Sequence, residues 1–485
     1  MAMTRYDFLR GAVASAAMMG VPARVWGAAK MLGKPDLIIG VLSDIHIQLP
    51  PAGSAETVDR FRHALEYFRD RGVDGVLVAG DLANAGLETE LAAVAKTWFE
   101  VFPNGCLPNG KKVANLMHYG DHDAEARFYK PALKEKFTKQ GLAVPRSMSE
   151  GENRREIWEK YFHEQWSPIR HVKVKGYDFV LSNFMREGSA SAPKDLEAQL
   201  RAMKLDPNKP FFYSQHRWIR NTYLADEEMA VVGKDNGVTH TVLPKYPNCI
   251  AFQGHTHYMI SDDRSLWIGD YISINAGSLL TQCVGRQREN GVDIPWHKND
   301  YMCENQMACV PSGTGHAGMV MSLKGDLMTL ERRDFGLDLS LGPDLVFSVD
   351  PKARDRYADG SRKAASIAPE FPRGAAMSVV SRAGQDRRHR AVNQVVVAFP
   401  TVKAAAMRPR AHDYEVTAEA VDGTVVCRKR VYSPTINLPE EKEAPEASCV
   451  FAAHEVGGAV RFSVRPGNCW GKLGAPISVE WKSRG

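Results

Sequence analysis

Five short fragments of the chain carry oxygen and imidazole donors at close spacing. They are Ser43-Asp44-Ile45-His46, Gly80-Asp81-Leu82-Ala83-Asn84, Tyr119-Gly120-Asp121-His122-Asp123, Ser214-Gln215-His216 and Gly254-His255-Thr256-His257. One such fragment is ordinary, because a lone Asp-x-His serves as a turn or helix cap and a lone His-x-His sits in many exposed loops. Five in one chain, with no thiolate among them, form a donor set of another kind. Mixed carboxylate and imidazole suits borderline divalent or trivalent ions such as Zn, Mn and Fe, and the donors suffice for two ions. No serine or cysteine nucleophile motif, phosphate-binding glycine loop or dinucleotide fingerprint competes with them.

Each fragment follows a segment that reads as a strand. Asp36 to Ser43 and Gly75 to Ala79 are nearly continuous apolar runs, the form of strands covered on both faces. Val113 to Tyr119, Pro210 to Ser214 and Cys249 to Gln253 read the same way. Between them, Ala55 to Asp70 places Val58, Phe61, Ala64, Leu65 and Phe68 at helical spacing, and Leu87 to Phe102 and Asp195 to Met203 also read as helices. Val172 to Asn183 reads as a hairpin about Lys175-Gly176. The order predicts a layered α/β sheet with helices on both faces, whose strand carboxyl ends are where ligands bind. Beyond Val392 only strand-like runs follow, at the spacing of a small β-sandwich.

The five blocks resemble those of the calcineurin-like metallophosphoesterases, which run D-x-H, G-D, G-N-H-D/E, a later His and G-H-x-H in this order. The resemblance covers residues 36 to about 335, including the closing strands Gly318 to Ser322 and Leu327 to Arg332. It implies a four-layered α/β/β/α sandwich, followed here by an all-β sandwich. It also implies two metal ions (Fe, Zn or Mn), with Asp44, His46 and His257 on one, Asp121, His216 and His255 on the other, and Asp81 bridging. A hydroxide between the ions would attack a phosphoester in line, with His122 near the leaving group.

Two departures stand out. Asp121 replaces the family's asparagine, adding a negative charge close to the ions. Three aspartates, a hydroxide and two divalent ions sum to neutrality, where the amide leaves one positive charge. Either this favours a trivalent/divalent pair or weakens attraction for dianionic monoesters, or Asp121 is a plain isostere. Asn84 stands where purple acid phosphatases have a metal-bound tyrosine and Ser/Thr protein phosphatases an aspartate, which disfavours both subfamilies. Its amide is a candidate for orienting His122. Asp123 in place of glutamate leans away from the 5′-nucleotidase type, toward the broad class of cyclic-nucleotide and glycerophosphodiester phosphodiesterases.

Arg217 and Arg220 follow His216 and are candidate phosphate contacts. Trp218, Tyr223 and Trp267 are candidate pocket aromatics, while His118, inside a predicted strand, reads as a core histidine.

The 485 residues, 44% hydrophobic and 25% charged, exclude disorder and allow two to three domains. Net charge is +5, yet residues 351–390 alone hold ten Lys/Arg against four Asp/Glu. Outside that segment and the N-terminus the chain is net negative, so no extended nucleic-acid surface is expected, and attraction for a phosphoester falls to the metals. Residues 1–29 read as a basic start, a short apolar run and a small-residue exit, an export signal similar to the twin-arginine type, and no later stretch reads as a membrane span. Export to the periplasm or beyond, with eight cysteines, favours disulfides, with pairings within Cys427, Cys449 and Cys469 as candidates. The predicted organisation is signal 1–29, metallophosphoesterase domain 30–345, basic linker 346–365 and a β-sandwich 366–485, which resembles fibronectin type III-like domains at Ala368 to Ala375, His412 to Val416 and Pro466 to Lys472. Two other readings remain: a catalytically silent metal- or phosphoryl-binding protein, and a surface-interaction protein acting through the C-terminal domain.

Overall fold

The computed structural model describes residues 33–125, 130–185, 191–222, 236–283, 288–289, 315–385, 390–402, 410–438 and 446–482. The predicted export signal, Tyr223, Cys303 and Cys309 lie outside them. The described residues begin as a strand–helix alternation: β1 (Leu37–Leu42), α1 (Glu56–Asp70), β2 (Gly75–Ala79), α2 (Glu88–Val101) and β3 (Ala114–His118). Three helices, α3 (Asp121–Ala124), α4 (Lys130–Lys139) and α5 (Asn153–Phe162), lead to the hairpin β4 (Ile169–Val174) and β5 (Tyr177–Ser182). Lys175 and Gly176 both have positive φ at its turn, as a right-twisted two-residue hairpin requires. Then come α6 (Leu196–Ala202), β6 (Phe211–Ser214), α7 (Val238–Val242), β7 (Cys249–Gln253), β8 (Leu266–Ile268) and β9 (Ile272–Asn275). Strands β10 (Ala317–Lys324), β11 (Leu327–Asp334), β12 (Leu339–Ser340) and β13 (Leu345–Ser348) follow.

Two mixed sheets result. One runs β12-β11-β10-β1-β2-β3, with β13 also on β11, and β1, β2 and β3 are parallel. The other runs β4-β5-β6-β7-β9-β8, with β5, β6, β7 and β9 parallel. Alternation along each strand explains where the cores lie. Leu37, Ile39 and Val41 of β1 meet Phe179, Phe212, Ile250 and Phe252 in a core between the sheets. Val76 and Val78 of β2 face the other way, onto Phe61, Leu65, Leu91, Trp98 and Trp158 of α1, α2 and α5. On the second sheet's far face, Val180, Phe211, Tyr213 and Ala251 meet Leu196, Leu200 and Val242 of α6 and α7.

The segment expected to be a basic linker is more closely held than that reading suggests. Val346 to Ser348 are ladder residues of β13, and α8 (Asp359–Ala365) follows. Arg354 is buried and donates to the carbonyls of Pro247 and Asp270, and buried Arg362 donates to those of Asp263 and Leu266. Among the described residues seven strands follow: β14 (Ser378–Gln385), β15 (Ala391–Phe399), β16 (Asp413–Glu419), β17 (Val425–Tyr432), β18 (Ala447–Ala452), β19 (Arg461–Gly467) and β20 (Ile477–Glu480). They form two antiparallel sheets, β14-β15-β18 and β17-β16-β19-β20, which share one core of Val395, Val397, Phe451, Tyr414, Val416 and Phe462. β16 meets the α/β part through buried ions: Arg264 pairs with Asp262 and contacts His412, His412 bonds Asp413, and Arg288 joins Asp413 to Glu415.

Among the described residues no helix is long and apolar enough to cross a membrane. Cys106, Cys249, Cys427 and Cys469 are thiols, so the expected disulfide within Cys427, Cys449 and Cys469 does not form. Cys427 lies on β17 and Cys449 on β18, strands of different sheets.

Candidate metal centre

Asp44 and His46 lie just past β1, Asp81 past β2, Asp121 past β3, His216 past β6, and His255 and His257 past β7. All five ends are carboxyl ends of parallel strands, so the side chains gather along one edge of the two facing sheets. The β1 and β2 loops stay paired after the strands stop: Asp44 N donates to Gly80 O (3.1 Å), His46 N to Asp81 O (3.0 Å) and Ile47 N to Leu82 O (2.9 Å). Two glycines allow the close approach. A Cβ at Gly120 would collide with the Asp81 carboxylate, and one at Gly254 with Ser43 and Asp44. Asp44, His46, Asp81, His255 and His257 have φ of 51°, 43°, 53°, 70° and 53°, a left-handed conformation uncommon outside glycine. Each such residue costs on the order of 1–3 kcal/mol, which the surrounding hydrogen bonds must offset.

The predicted ligands form two groups. Asp44, His46 and His257 are one, and Asp81, Asp121, His216 and His255 the other, with donor atoms in each group within 4.8 Å of one another; His46 and Asp81 also meet His122 within that distance. Asp81 Oδ2 reaches both, 3.1 Å from His216 Nε2 and 3.5 Å from His46 Nε2. His257 Nε2 is 3.1 Å from Asp44 Oδ1, and His216 Nε2 is 3.3 Å from Asp121 Oδ1.

This donor set fits cations. His46 Nε2 faces His257 Nε2 at 3.3 Å, and His216 Nε2 faces His255 Nδ1 at 3.3 Å, so four ring nitrogens converge in two pairs. Asp44 Oδ1 and Asp121 Oδ1 are buried without a hydrogen-bond partner. Backbone carbonyls orient the rings: Ala79 O accepts from His216 Nδ1 (2.8 Å) and Thr281 O from His257 Nδ1 (3.2 Å), which turns each Nε2 into the cluster. Burial pushes Asp44 and Asp121 up, yet the neighbouring histidines, His257 and His255 foremost, hold both well below the usual carboxylate range. Burial likewise pulls His216 down, but Asp81 and Asp121 hold it well above the imidazole range.

His122 opens α3, half-buried beside this centre. Its N–H donates to Asp81 Oδ1 (2.9 Å), its Nδ1 lies 2.8 Å from Asn84 O, and its ring stands edge-on to His46 at 4.5 Å between centroids. The group expected to orient His122 was the Asn84 side-chain amide; the structure uses the Asn84 backbone carbonyl. Arg217, expected near phosphate, instead aims Nε (3.3 Å) and Nη2 (3.0 Å) at Asp121 Oδ2. Arg220 is exposed, its guanidinium against Gly237. Trp218 is buried and stacks on His255 at 5.5 Å, whereas Trp267 packs on Tyr271. His118 is a core residue, its Nε2 2.8 Å from Ser214 Oγ.

Two contributors had no role assigned from the sequence, where Asp123 served only as a subfamily marker and Ser278 was not singled out. Asp123 is fully buried and accepts from Leu82 N (3.1 Å), Ala83 N (2.7 Å) and Gly120 N (2.7 Å), tying the Asp81 loop to the Asp121 loop. Its position three residues past Gly120, as a capping acid of α3, was a readable signal. Ser278 Oγ lies 3.3 Å from His257 Nδ1 and 3.4 Å from Asp44 O, just past β9, a four-residue strand the sequence pattern does not announce.

Residues 37–259, which include all seven clustered side chains, match the family model of calcineurin-like phosphoesterases. No curated protein matches the chain. Among solved structures it is similar to a dimetal phosphatase from Danio rerio, at 12% identity and TM-score 0.35 over 65% of this chain and 100% of that one. A purple acid phosphatase from yellow lupin (Lupinus luteus) seeds is similar at 12% identity and TM-score 0.37, over 65% of this chain and 55% of that one. A conserved uncharacterised protein and predicted phosphoesterase from Streptococcus pneumoniae is similar at 11% identity and TM-score 0.25, over 64% and 97%.

Proposed function

We propose that the protein hydrolyses phosphoester bonds, in monoesters or diesters, at a centre of two metal ions (Fe, Zn or Mn). The observation that carries this reading is the pair of Asp/His groups with Asp81 Oδ2 reaching both. Asp44, His46 and His257 would hold one ion and Asp121, His216 and His255 the other, with Asp81 between. Two cations held there supply the charge that draws in phosphoryl oxygens and make hydroxide available near neutral pH.

The chain's own residues do the rest. Asp81 is kept in place by the His122 N–H on Oδ1, which leaves Oδ2 for the centre. The Asn84 carbonyl holds a proton on His122 Nδ1, so Nε2 is the nitrogen that hands a proton to the departing alkoxide. Trp218, stacked on His255, keeps water from that ring's face. In this reading residues 30–345 form the four-layered α/β/β/α catalytic sandwich, 346–365 connect it, and 366–485 form a fibronectin type III-like sandwich. The protein is exported by the signal at 1–29.

Loading with Mn, Zn or Fe, metal analysis, and turnover of p-nitrophenyl phosphate and bis-p-nitrophenyl phosphate test the reading on one sample. Turnover dependent on two equivalents of metal is expected. Two equivalents bound with no turnover of either ester would favour the silent metal-binding alternative.

A further inference from the structure

Asp121 is held unlike the other carboxylates of the centre. Its Oδ1 is buried without a hydrogen-bond partner and lies 3.3 Å from His216 Nε2, on the cluster side. Its Oδ2 receives both Nε and Nη2 of Arg217, which is itself buried, stacked over the Phe184 ring at 4.6 Å and 3.9 Å from Glu125. Asp44 and Asp81 have no guanidinium partner among their described ion pairs; theirs are histidines. An arginine is always charged, so a buried one that gives two N–H groups to one oxygen of a carboxylate offsets that carboxylate's charge and leaves the other oxygen facing the cluster.

On the dinuclear reading above, we infer that Arg217 is the charge-compensating and positioning residue of Asp121, which fits the second group for a divalent rather than a trivalent ion. With Arg217 counted, two divalent ions, three aspartates and a hydroxide sum to one positive charge, the value a neutral amide at position 121 would give. The Asp121–Arg217 pair is then a two-residue substitute for one amide. Arg217 is thereby withdrawn from direct phosphate contact.

The test loads the purified full chain with equimolar Zn2+ and citrate-held Fe3+ and reads the bound ions by mass spectrometry. Wild type should hold two equivalents, mainly Zn2+. Arg217→Gln should raise the retained Fe3+:Zn2+ ratio about 10-fold, within the range by which groups supporting a ligand tune a metal site. Arg217→Lys, which keeps the charge, should hold that ratio near wild type. Asp121→Asn alone strands a buried arginine and should weaken Zn2+ binding about 10-fold or more, and Asp121→Asn/Arg217→Gln should recover it. Should Arg217→Gln fail to fold, recovery in the double variant still decides. An unchanged ratio in Arg217→Gln, or a double variant no better than Asp121→Asn, overturns the inference. So does unchanged metal content with weakened orthophosphate binding, which would return Arg217 to the substrate. Fewer than two equivalents on wild type with every ion overturns the dinuclear reading, and this inference with it.

Discussion

Two buried clusters of Asp, His and Arg lie in this molecule, and they are wired in opposite ways. Where β16 meets the α/β part, Arg264 Nη2 bonds Asp262 Oδ2 (2.8 Å) and reaches His412 Nε2 (3.2 Å). His412 Nδ1 bonds Asp413 Oδ2 (2.9 Å), and Arg288 bonds Asp413 Oδ1 (2.8 Å) and Glu415 Oε2 (3.0 Å). Donor meets acceptor at each step, and burial holds His412 below the ordinary imidazole range, consistent with one nitrogen donating and the other accepting. In the metal-site cluster imidazole nitrogens face each other, one oxygen each of Asp44 and Asp121 lacks a hydrogen-bond partner, and the backbone is left-handed at five positions. The composition is similar and the wiring is not. A buried polar group costs free energy unless paired, so a self-satisfied cluster reads as structure and an unsatisfied one as a site awaiting a ligand.

Removing a charge from each cluster separates the two kinds. Asp81→Ala should lower kcat by roughly 10³-fold or more, a loss of about 4 kcal/mol in transition-state stabilisation, and cut metal content below two equivalents. Thermal unfolding of the unloaded protein should be unchanged or slightly higher; wild-type turnover would remove the bridging role altogether. Asp413→Ala should do the reverse, costing about 3–5 kcal/mol of stability in urea unfolding because Arg288 and His412 lose their partner. Soluble Asp413→Ala should still bind two metal equivalents; a variant as stable as wild type would dissolve the contrast.

Asp123→Asn tests a residue between these extremes, a carboxylate fully paired by backbone N–H groups yet set beside the ligands. Calorimetric metal titration should show affinity about 10- to 100-fold weaker. No change would make Asp123 a part of the fold alone. The smallest effect concerns His118, which burial pushes down to about 3 and whose partners are uncharged. Its folded form refuses a proton that the unfolded chain accepts below pH 6.5. Stability is therefore undisturbed above that pH and falls by about 1.4 kcal/mol per unit as pH drops toward 3. Relative to wild type, His118→Gln should gain roughly 2 kcal/mol between pH 7 and pH 5 in urea melts, and parallel pH curves would refute the assignment.

The wiring also divides what the sequence made legible from what it hid. Asp44, Asp81, Asp121, His216, His255 and His257 were visible because each stands just beyond an apolar run, and a parallel strand covered on both faces has an unmistakable pattern. Pairing across 96 residues, Arg217 to Asp121, leaves no local trace. The left-handed backbone is equally silent, since no glycine occupies those positions. α5 was missed because Ile157, Trp158 and Phe162 are the only fully buried apolar residues within NRREIWEKYF. β14 was missed because it is an edge strand exposed on both faces and lacks alternation. In 346–365 a basic composition suggested solvent, yet Arg354 and Arg362 are buried against carbonyls, which charge counting does not distinguish.

Asp44, Asp81 and Asp121 terminate three adjacent parallel strands, and this makes the sheet a ruler. Neighbouring strands repeat at about 4.8 Å, so the carboxylates inherit their gauge from backbone hydrogen bonding and not from the loops that carry them. Loops can lengthen or change composition farther out without altering that gauge. A one-residue slip of β2 against β1 would carry Asp81 about 3.3 Å along the strand and turn it to the opposite face. The apolar residues that set the register of β1 on β2, Val41 on Leu77 and Leu42 on Val78, are therefore the parts that calibrate the centre.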